Sequence, residues 1–413
     1  MAQYIHLFNT ASEFNEAYNG SSYEEPWVSY TEEGEQVKYN KSEDEKLKDT
    51  PLTFVIQSDG NITWKKYQSS MTDKTIEYSK NGGEWISITS DAGSSAPTIS
   101  VVSGDTIQFR GNNTTYGEGG ALNTSFNTTC QFKVKGNIMS LINSTNFSNL
   151  VTLGATYTFF FLFRACTGLT DAGKLLLPAT TLTHSCYGSM FNGCSNLTEA
   201  PALPATTLAQ SCYVGMFAAC TSLTTAPELP ATVLANNCYY FMFQGCTSLT
   251  TAPVLSVTTL IDNCYNAMFQ GCTSLTTVPE LPATTLATGC YKCMFSGCTG
   301  LVSVPDDLLP ATTLAVSCYT SMFNSCTSLV TAPVLPATSL GYGQRYCYED
   351  MFSGCSSLNY IKAMFTTTPG VNYTYNWVAG VASTGTFVKN SAASWTTTGN
   401  NGIPTGWTVE TAS

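Results

Sequence analysis

Charge is scarce in this chain of 413 residues: Asp, Glu, Lys and Arg make up 11%, well under the usual quarter. Bases are scarcer than acids, 17 against 28. No basic patch is available to release counterions from phosphates, which argues against a nucleic-acid partner. Histidine is nearly missing; His6 and His184 stand without a catalytic or metal-binding partner in sequence. No run approaches 18 apolar residues, so no membrane insertion is expected. The opening Met1-Ala-Gln-Tyr-Ile-His6 has neither the basic nor the apolar region of a signal peptide, so synthesis in a cytoplasm is expected. No G-x-S-x-G, H-E-x-x-H or P-loop pattern occurs. These absences point away from an enzyme, a cofactor and a metal.

What is present is a repeat. Cys-Tyr recurs at Cys186, Cys212, Cys238, Cys264, Cys290, Cys318 and Cys347, with gaps of 26, 26, 26, 26, 28 and 29. Eight residues after each comes a second cysteine, from Cys194 to Cys355. A degenerate leading copy holds Thr158, Phe159, Leu162, Phe163 and Cys166 in the same places. Counting from the first cysteine, offsets 0, 1, 4, 5 and 8 are apolar, which reads as one face of a short α-helix. Glycine at offset 7, such as Gly245, reads as its stop. Leu249 and Leu255 then point inward from an extended segment, kept short by Pro253. No unit buries its stripe alone, so stacking is required. The expected fold is multidomain: an arm and a small all-β sandwich, then an α/β leucine-rich-repeat solenoid of about eight 26-residue units with a C-terminal cap.

Seventeen cysteines invite a disulfide or metal reading. On one helix, offsets 0 and 8 lie about 12 Å apart, and a disulfide needs Cα atoms within about 7 Å. Neighbouring helices at about 8–10 Å are also too far. Metal sites favour close C-x₂-C pairs with histidine nearby, and only His6 and His184 exist. Buried free thiols packing as small hydrophobes are expected.

The segment Met242-Phe-Gln-Gly-Cys-Thr-Ser-Leu249, with its equivalents in the other units, resembles the core of BspA-like leucine-rich repeats of bacterial surface proteins. The longer unit, with its added Cys-Tyr and Leu-Pro-Ala-Thr-Thr-Leu, is similar to the version common in gut Bacteroidales and in their phages, including crAss-like phages. Gly385 to Lys389 and Ile403 to Trp407 resemble the C-terminal cap of these proteins. The resemblance implies adhesion or contact with a host surface, not catalysis.

Residues 1–50 carry eleven acids and four bases, and also Tyr4, Phe8, Phe14, Tyr18, Tyr23, Trp27 and Tyr30. A solvated acidic tail has few aromatics, so burial on this chain or on a partner is expected. Thr10 to Tyr18 reads as a short capped helix. Pro26 to Tyr30 and Tyr39 to Lys41 resemble the N-terminal segment of the phage proteins, which implies attachment to other virion proteins. Residues 51–135 alternate as six short strands, with a hairpin signal at Asn81-Gly82-Gly83. Residues 136–157 are expected to cap the repeats at 158–362, and 363–413 to form the C-terminal cap.

Offsets 2 and 3 vary most between units, from Tyr240-Phe241 to Lys292-Cys293 and Glu349-Asp350. On a helix they face solvent. Relaxed constraint explains that, and so does a recognition surface with Tyr240 and Phe241 as anchors. Two units are lengthened, at Asp306-Asp307 and at Gly341 to Arg345, including Tyr342. Insertions in repeat arrays map to loops, often on the binding face. The candidate contact set is Tyr240, Phe241, Lys292, Asp306, Asp307, Tyr342 and Arg345, facing a host-surface protein or glycan. The candidate attachment set is Tyr4, Phe8, Phe14, Tyr18, Trp27 and Tyr30. The expected function is a non-enzymatic head or tail fibre, or capsid decoration, on a virion surface; the alternative is an adhesin on a bacterial cell surface. The analogy with fibres points to a homo-oligomer, with a trimer as the familiar case, although no heptad pattern enforces one.

Overall fold

A computed structural model describes residues 27–30, 36–39, 43–120 and 122–412. Strands β1 (Trp27–Tyr30) and β2 (Gln36–Tyr39) pair antiparallel. Helix α1 (Glu43–Asp49) follows, with Leu47 buried. Asn137 ties this helix down, its Nδ2 donating to the Lys48 carbonyl at 3.1 Å. Residues 43–49 therefore belong to the folded body, inside the stretch read from sequence as an arm.

Two sheets come next. One is built from β3 (Leu52–Ile56), β5 (Thr75–Lys80), β6 (Ile86–Thr89), β8 (Thr106–Gly111), β11 (Phe132–Asn137) and β12 (Leu169–Leu176), in the order β12-β11-β3-β8-β5-β6. The other is built from β4 (Gly60–Lys66), β7 (Thr98–Val101), β9 (Gly117–Gly119) and β10 (Leu122–Thr128), in the order β7-β4-β10-β9. Their facing residues alternate as half-buried strands do. Phe54 and Phe109 of the first sheet meet Phe126 of the second at 4.9 and 4.8 Å between ring centroids. Asn81 and Gly82, at φ 53° and 73°, make the turn between β5 and β6; both tolerate the left-handed region a tight hairpin requires.

Asp105 closes this hairpin from the side. Its carboxylate accepts from Lys80 Nζ at 2.7 Å, from the Val102 N–H at 2.8 Å and from Asn81 Nδ2 at 2.8 Å. Those donors, Lys80 first, hold its pKa down from an ordinary 3.8 to about 2. A depressed carboxylate stabilises the fold fully above its unfolded value and loses that contribution as pH falls through its folded one. Acid unfolding of the wild type is expected to gain a component between pH 4 and 2 that Asp105→Asn lacks, read by circular dichroism. Identical acid profiles for the two proteins would remove the role given to this carboxylate.

The repeats do not form the expected α/β leucine-rich-repeat solenoid. Strand accounts for 23% and helix for 5%, and among the described residues no α-helix lies between 158 and 362. The Cys-Tyr-x-x-Met-Phe-x-x-Cys segment is instead a ribbon of tandem turns. In one repeat Asn237, Phe241 and Gly245 have φ of 57°, 58° and 70°. A left-handed residue at every fourth position ends any helix before it closes a second turn. Half of the N–H groups bond three residues back: Tyr240 to Asn237, Met242 to Tyr239 and Gln244 to Phe241, at 3.0–3.2 Å. The others bond to the next repeat: Tyr239 to Cys264, Phe241 to Asn266, Phe243 to Met268 and Gly245 to Gln270, at 2.7–3.1 Å. An α-helix consumes its interior N–H groups within itself. This ribbon leaves every second one free to tie neighbouring repeats together, as a parallel sheet does. We call each ribbon a rung.

The apolar offsets are buried as expected, by a different geometry. Phenylalanines from Phe163 to Phe352 stack at 5.4–5.9 Å between centroids. Phe159 and the tyrosines from Tyr187 to Tyr348 stack at 5.6–6.1 Å. The leading copy stacks in the same way, Phe159 N–H donating to the Cys186 carbonyl at 2.7 Å. A further rung over residues 373–381 lacks both cysteines; there Phe352 N–H donates to the Trp377 carbonyl at 2.8 Å. Beyond it, β13 (Tyr360–Ala363), β14 (Thr386–Lys389) and β15 (Thr408–Thr411) form a parallel sheet. Trp377, Trp395 and Trp407 cover this end, each indole N–H donating to a carbonyl. At the other end β12 pairs with β11 and also bridges the next repeat at Asp171 and Glu199. One hydrophobic core thus runs from Leu52 to Trp407.

All seventeen cysteines are free, and sixteen are buried. The sequence argument against disulfides assumed helices about 8–10 Å apart, and that premise fails, because rungs meet at hydrogen-bonding distance. Offset-8 thiols are instead engaged with the preceding rung, as where Cys246 Sγ donates to the Phe217 carbonyl at 3.1 Å. Burial pushes these thiols up, Cys238 and Cys272 to about 12, and the thiolate is the reactive form. Cys293, half-buried, is the exception. Under native conditions iodoacetamide is expected to label Cys293 first, with the other sixteen cysteines labelled only on global unfolding. Mass spectrometry showing early labelling along the Cys186–Cys347 column would refute the packing.

Candidate functional site: a variable stripe

Offsets 2 and 3 form two adjacent columns along the rungs. From one end they read Phe160-Phe161, Gly188-Ser189, Val214-Gly215, Tyr240-Phe241, Asn266-Ala267, Lys292-Cys293, Thr320-Ser321 and Glu349-Asp350. These residues do not project freely from a helix, as the sequence reading had them. They lie against their neighbours one rung away: a Cβ added at Gly188 would meet the Phe160 ring at 2.8 Å and Val214 Cγ1 at 3.1 Å. Tyr240 and Phe241 are accordingly half-buried rather than fully exposed.

Offset 3 is also one of the left-handed positions. Most rungs place a small or short polar residue there, such as Ser189, Ala267 or Asp350. Two rungs place phenylalanine, Phe161 at φ 59° and Phe241 at φ 58°. A bulky side chain in this region costs of order 1 kcal/mol or more. Each of the two packs on the aromatic before it: Phe160 and Phe161 at 4.1 Å, Tyr240 and Phe241 at 3.8 Å between centroids. The exposed Arg164 guanidinium stacks on Phe161 at 4.6 Å. Phe160, Phe161 and Arg164 escaped the sequence reading, although the leading copy's register already placed the two phenylalanines at offsets 2 and 3.

The middle of the stripe is polar. Burial, and after it the Cys293 thiol, pushes the Tyr240 phenol up. The Asn266 amide, between them, donates to Asn263 Oδ1 at 3.1 Å. Cys293 is pushed up by burial and held back by Lys292 and by a hydrogen bond with Ser321. At the far end burial, then Asp350, raises Glu349, while Lys292 acts against both. Burial also raises Asp350.

The other predicted contact residues lie apart from this stripe. Asp306 and Asp307 are exposed at the rim of a shallow depression lined by Leu309, Pro310, Val334 and Pro336. The Asp306 carbonyl accepts from the Val334 N–H at 2.9 Å, so the insertion is seated on the next repeat. Tyr342 begins a short 3-10 turn, and its side chain lies outside what the structure describes. Arg345 is exposed, its carbonyl accepting from the Ser317 N–H at 2.8 Å. Of the attachment set, Tyr4, Phe8, Phe14 and Tyr18 lie outside the described residues, as does the helix expected over 10–18. Trp27 and Tyr30 sit in β1, with their side chains likewise outside the description. Comparison with protein-family models, curated proteins and solved structures finds nothing that matches this chain.

Proposed function

We propose that this protein is a non-enzymatic display protein of a virion surface, attached through its N-terminal arm and contacting a host-surface glycan with the stripe. One observation carries the contact role: the interior offsets repeat rung after rung, while the stripe changes identity at each. A stack held by backbone bonds and ring ladders is a rigid support, on which side-chain differences translate into specificity. Tyr240, Phe241 and Lys292, half-buried and packed along the stripe, lose little conformational freedom on binding. The virion assignment rests on the resemblance of Pro26 to Tyr30 and of the repeat core to phage proteins.

Because α1 is part of the folded body, the test removes residues 1–42 and no more. The truncated protein is expected to unfold as cooperatively as the full chain while losing incorporation into particles. Normal incorporation would overturn the attachment role.

A further inference from the structure

Between residues 175 and 344 the chain holds six carboxylates and a single Lys or Arg, Lys292. That one cation stands on the variable stripe, two rungs from the Tyr240–Phe241 pair. At the spacing of hydrogen-bonded strands two rungs span about 10 Å, a gap that the Lys292 side chain and a sugar's acid group can bridge between them. Lys292 is half-buried, and among the described residues no carboxylate lies within ion-pair distance of it. Lys292 acts electrostatically on Glu349, two rungs further on.

We infer that Tyr240, Phe241 and Lys292 form a subsite for an acidic pyranose, a sugar carrying a carboxylate or a sulfate. This inference rests on the reading of the stripe as a glycan-contact surface and names the class of glycan. The paired rings of Tyr240 and Phe241 supply an apolar platform for a pyranose face. The platform is fixed in place, because Phe241 is held in a left-handed backbone position and its ring is stacked at 3.8 Å on Tyr240. Lys292 stands two rungs along the same stripe, so a ring on the platform has an ammonium within reach of its acid group. An ammonium binds an anion as a point charge. Within residues 175–344, where the other ionised side chains are carboxylates, it is the point that attracts an anion. Glu349 competes for the same ammonium and sets the far limit of the subsite.

The test is calorimetric titration of the full chain with sialyllactose, a sulfated lactose and lactose. The wild type is expected to bind one acidic sugar at least about tenfold more tightly than lactose, the effect of one charge-assisted contact. Lys292→Gln is expected to erase that preference while leaving the unfolding midpoint unchanged. Glu349→Gln is expected to strengthen acidic-sugar binding several-fold. The joint Tyr240→Ala and Phe241→Ala variant is expected to lose all three sugars. A preference for sialyllactose alone assigns a carboxylate, and for the sulfated sugar alone a sulfate. If lactose binds as well as the acidic sugars and Lys292→Gln changes nothing, the acidic subsite is wrong and the stripe reading survives. If none of the sugars binds and the double aromatic variant adheres to host cells like the wild type, both fall.

Discussion

Replacing Phe243 with alanine is expected to destabilise the chain by about 3–5 kcal/mol. Phe243 is fully buried and stacks at 5.7 Å on Phe217 on one side and on Phe269 on the other. Its removal opens a cavity that the rungs cannot close, because backbone hydrogen bonds to both neighbours hold them at fixed spacing. Repeat arrays derive stability from nearest-neighbour interfaces, and this substitution weakens two at once. Denaturant unfolding should show a lower midpoint and a split transition, with the two flanking blocks melting separately. Tyr240→Ala, on the stripe of the same rung, is the control and is expected to cost far less. A loss under about 1 kcal/mol for Phe243→Ala is incompatible with a continuous Phe ladder.

The second large effect lies at the junction between the sheets and the rungs. Gly168 precedes β12 and accepts at its carbonyl from the Phe132 N–H at 2.9 Å. A Cβ at this position would be driven into the Cys130 carbonyl oxygen. The obstacle is backbone of β11's own approach, so no rotamer relieves it. Gly168→Ala is expected to cost about 3 kcal/mol or more, at the severe end of overpacking. It should also free the β11–β12 amides to exchange hydrogen, because those two strands are what the methyl pushes apart. Gly154→Ala, where nothing lies within 4 Å of the added carbon, should be nearly neutral. Equal midpoints for the two variants would show that the junction does not form as described.

Much of the arrangement was legible in the order of residues. The 26-residue spacing, the identity of the buried offsets and the burial of the cysteines all follow from an apolar pattern that no repeat satisfies alone, whereas their being free followed only from a helix spacing that the rungs do not have. Strand β3 was readable to the residue, because Leu52 to Ile56 is apolar and flanked by breakers. The variable columns were readable too, since comparison of the repeats with one another exposes them. The conformation of the rung was not. Apolar positions at 0, 1, 4, 5 and 8 fit a helix of period 3.6 and a turn ribbon of period four equally well over nine residues. The discriminating signal was present but was read as a stop: Asn263, Ala267 and Gly271, four apart, are all left-handed, and a helix requires only the last.

The sequence by itself thus determined which side chains are interior and how often they recur, because burial of apolar groups depends on their pattern. Only the tertiary structure decided where the backbone hydrogen bonds go. Each N–H chooses between its own segment and the next repeat. That choice becomes favourable toward the neighbour only once the neighbour is stacked at strand distance with its carbonyl in line. The same stacking brings Tyr240 and Lys292, far apart along the chain, onto one stripe, and separates them from Asp306 and Asp307.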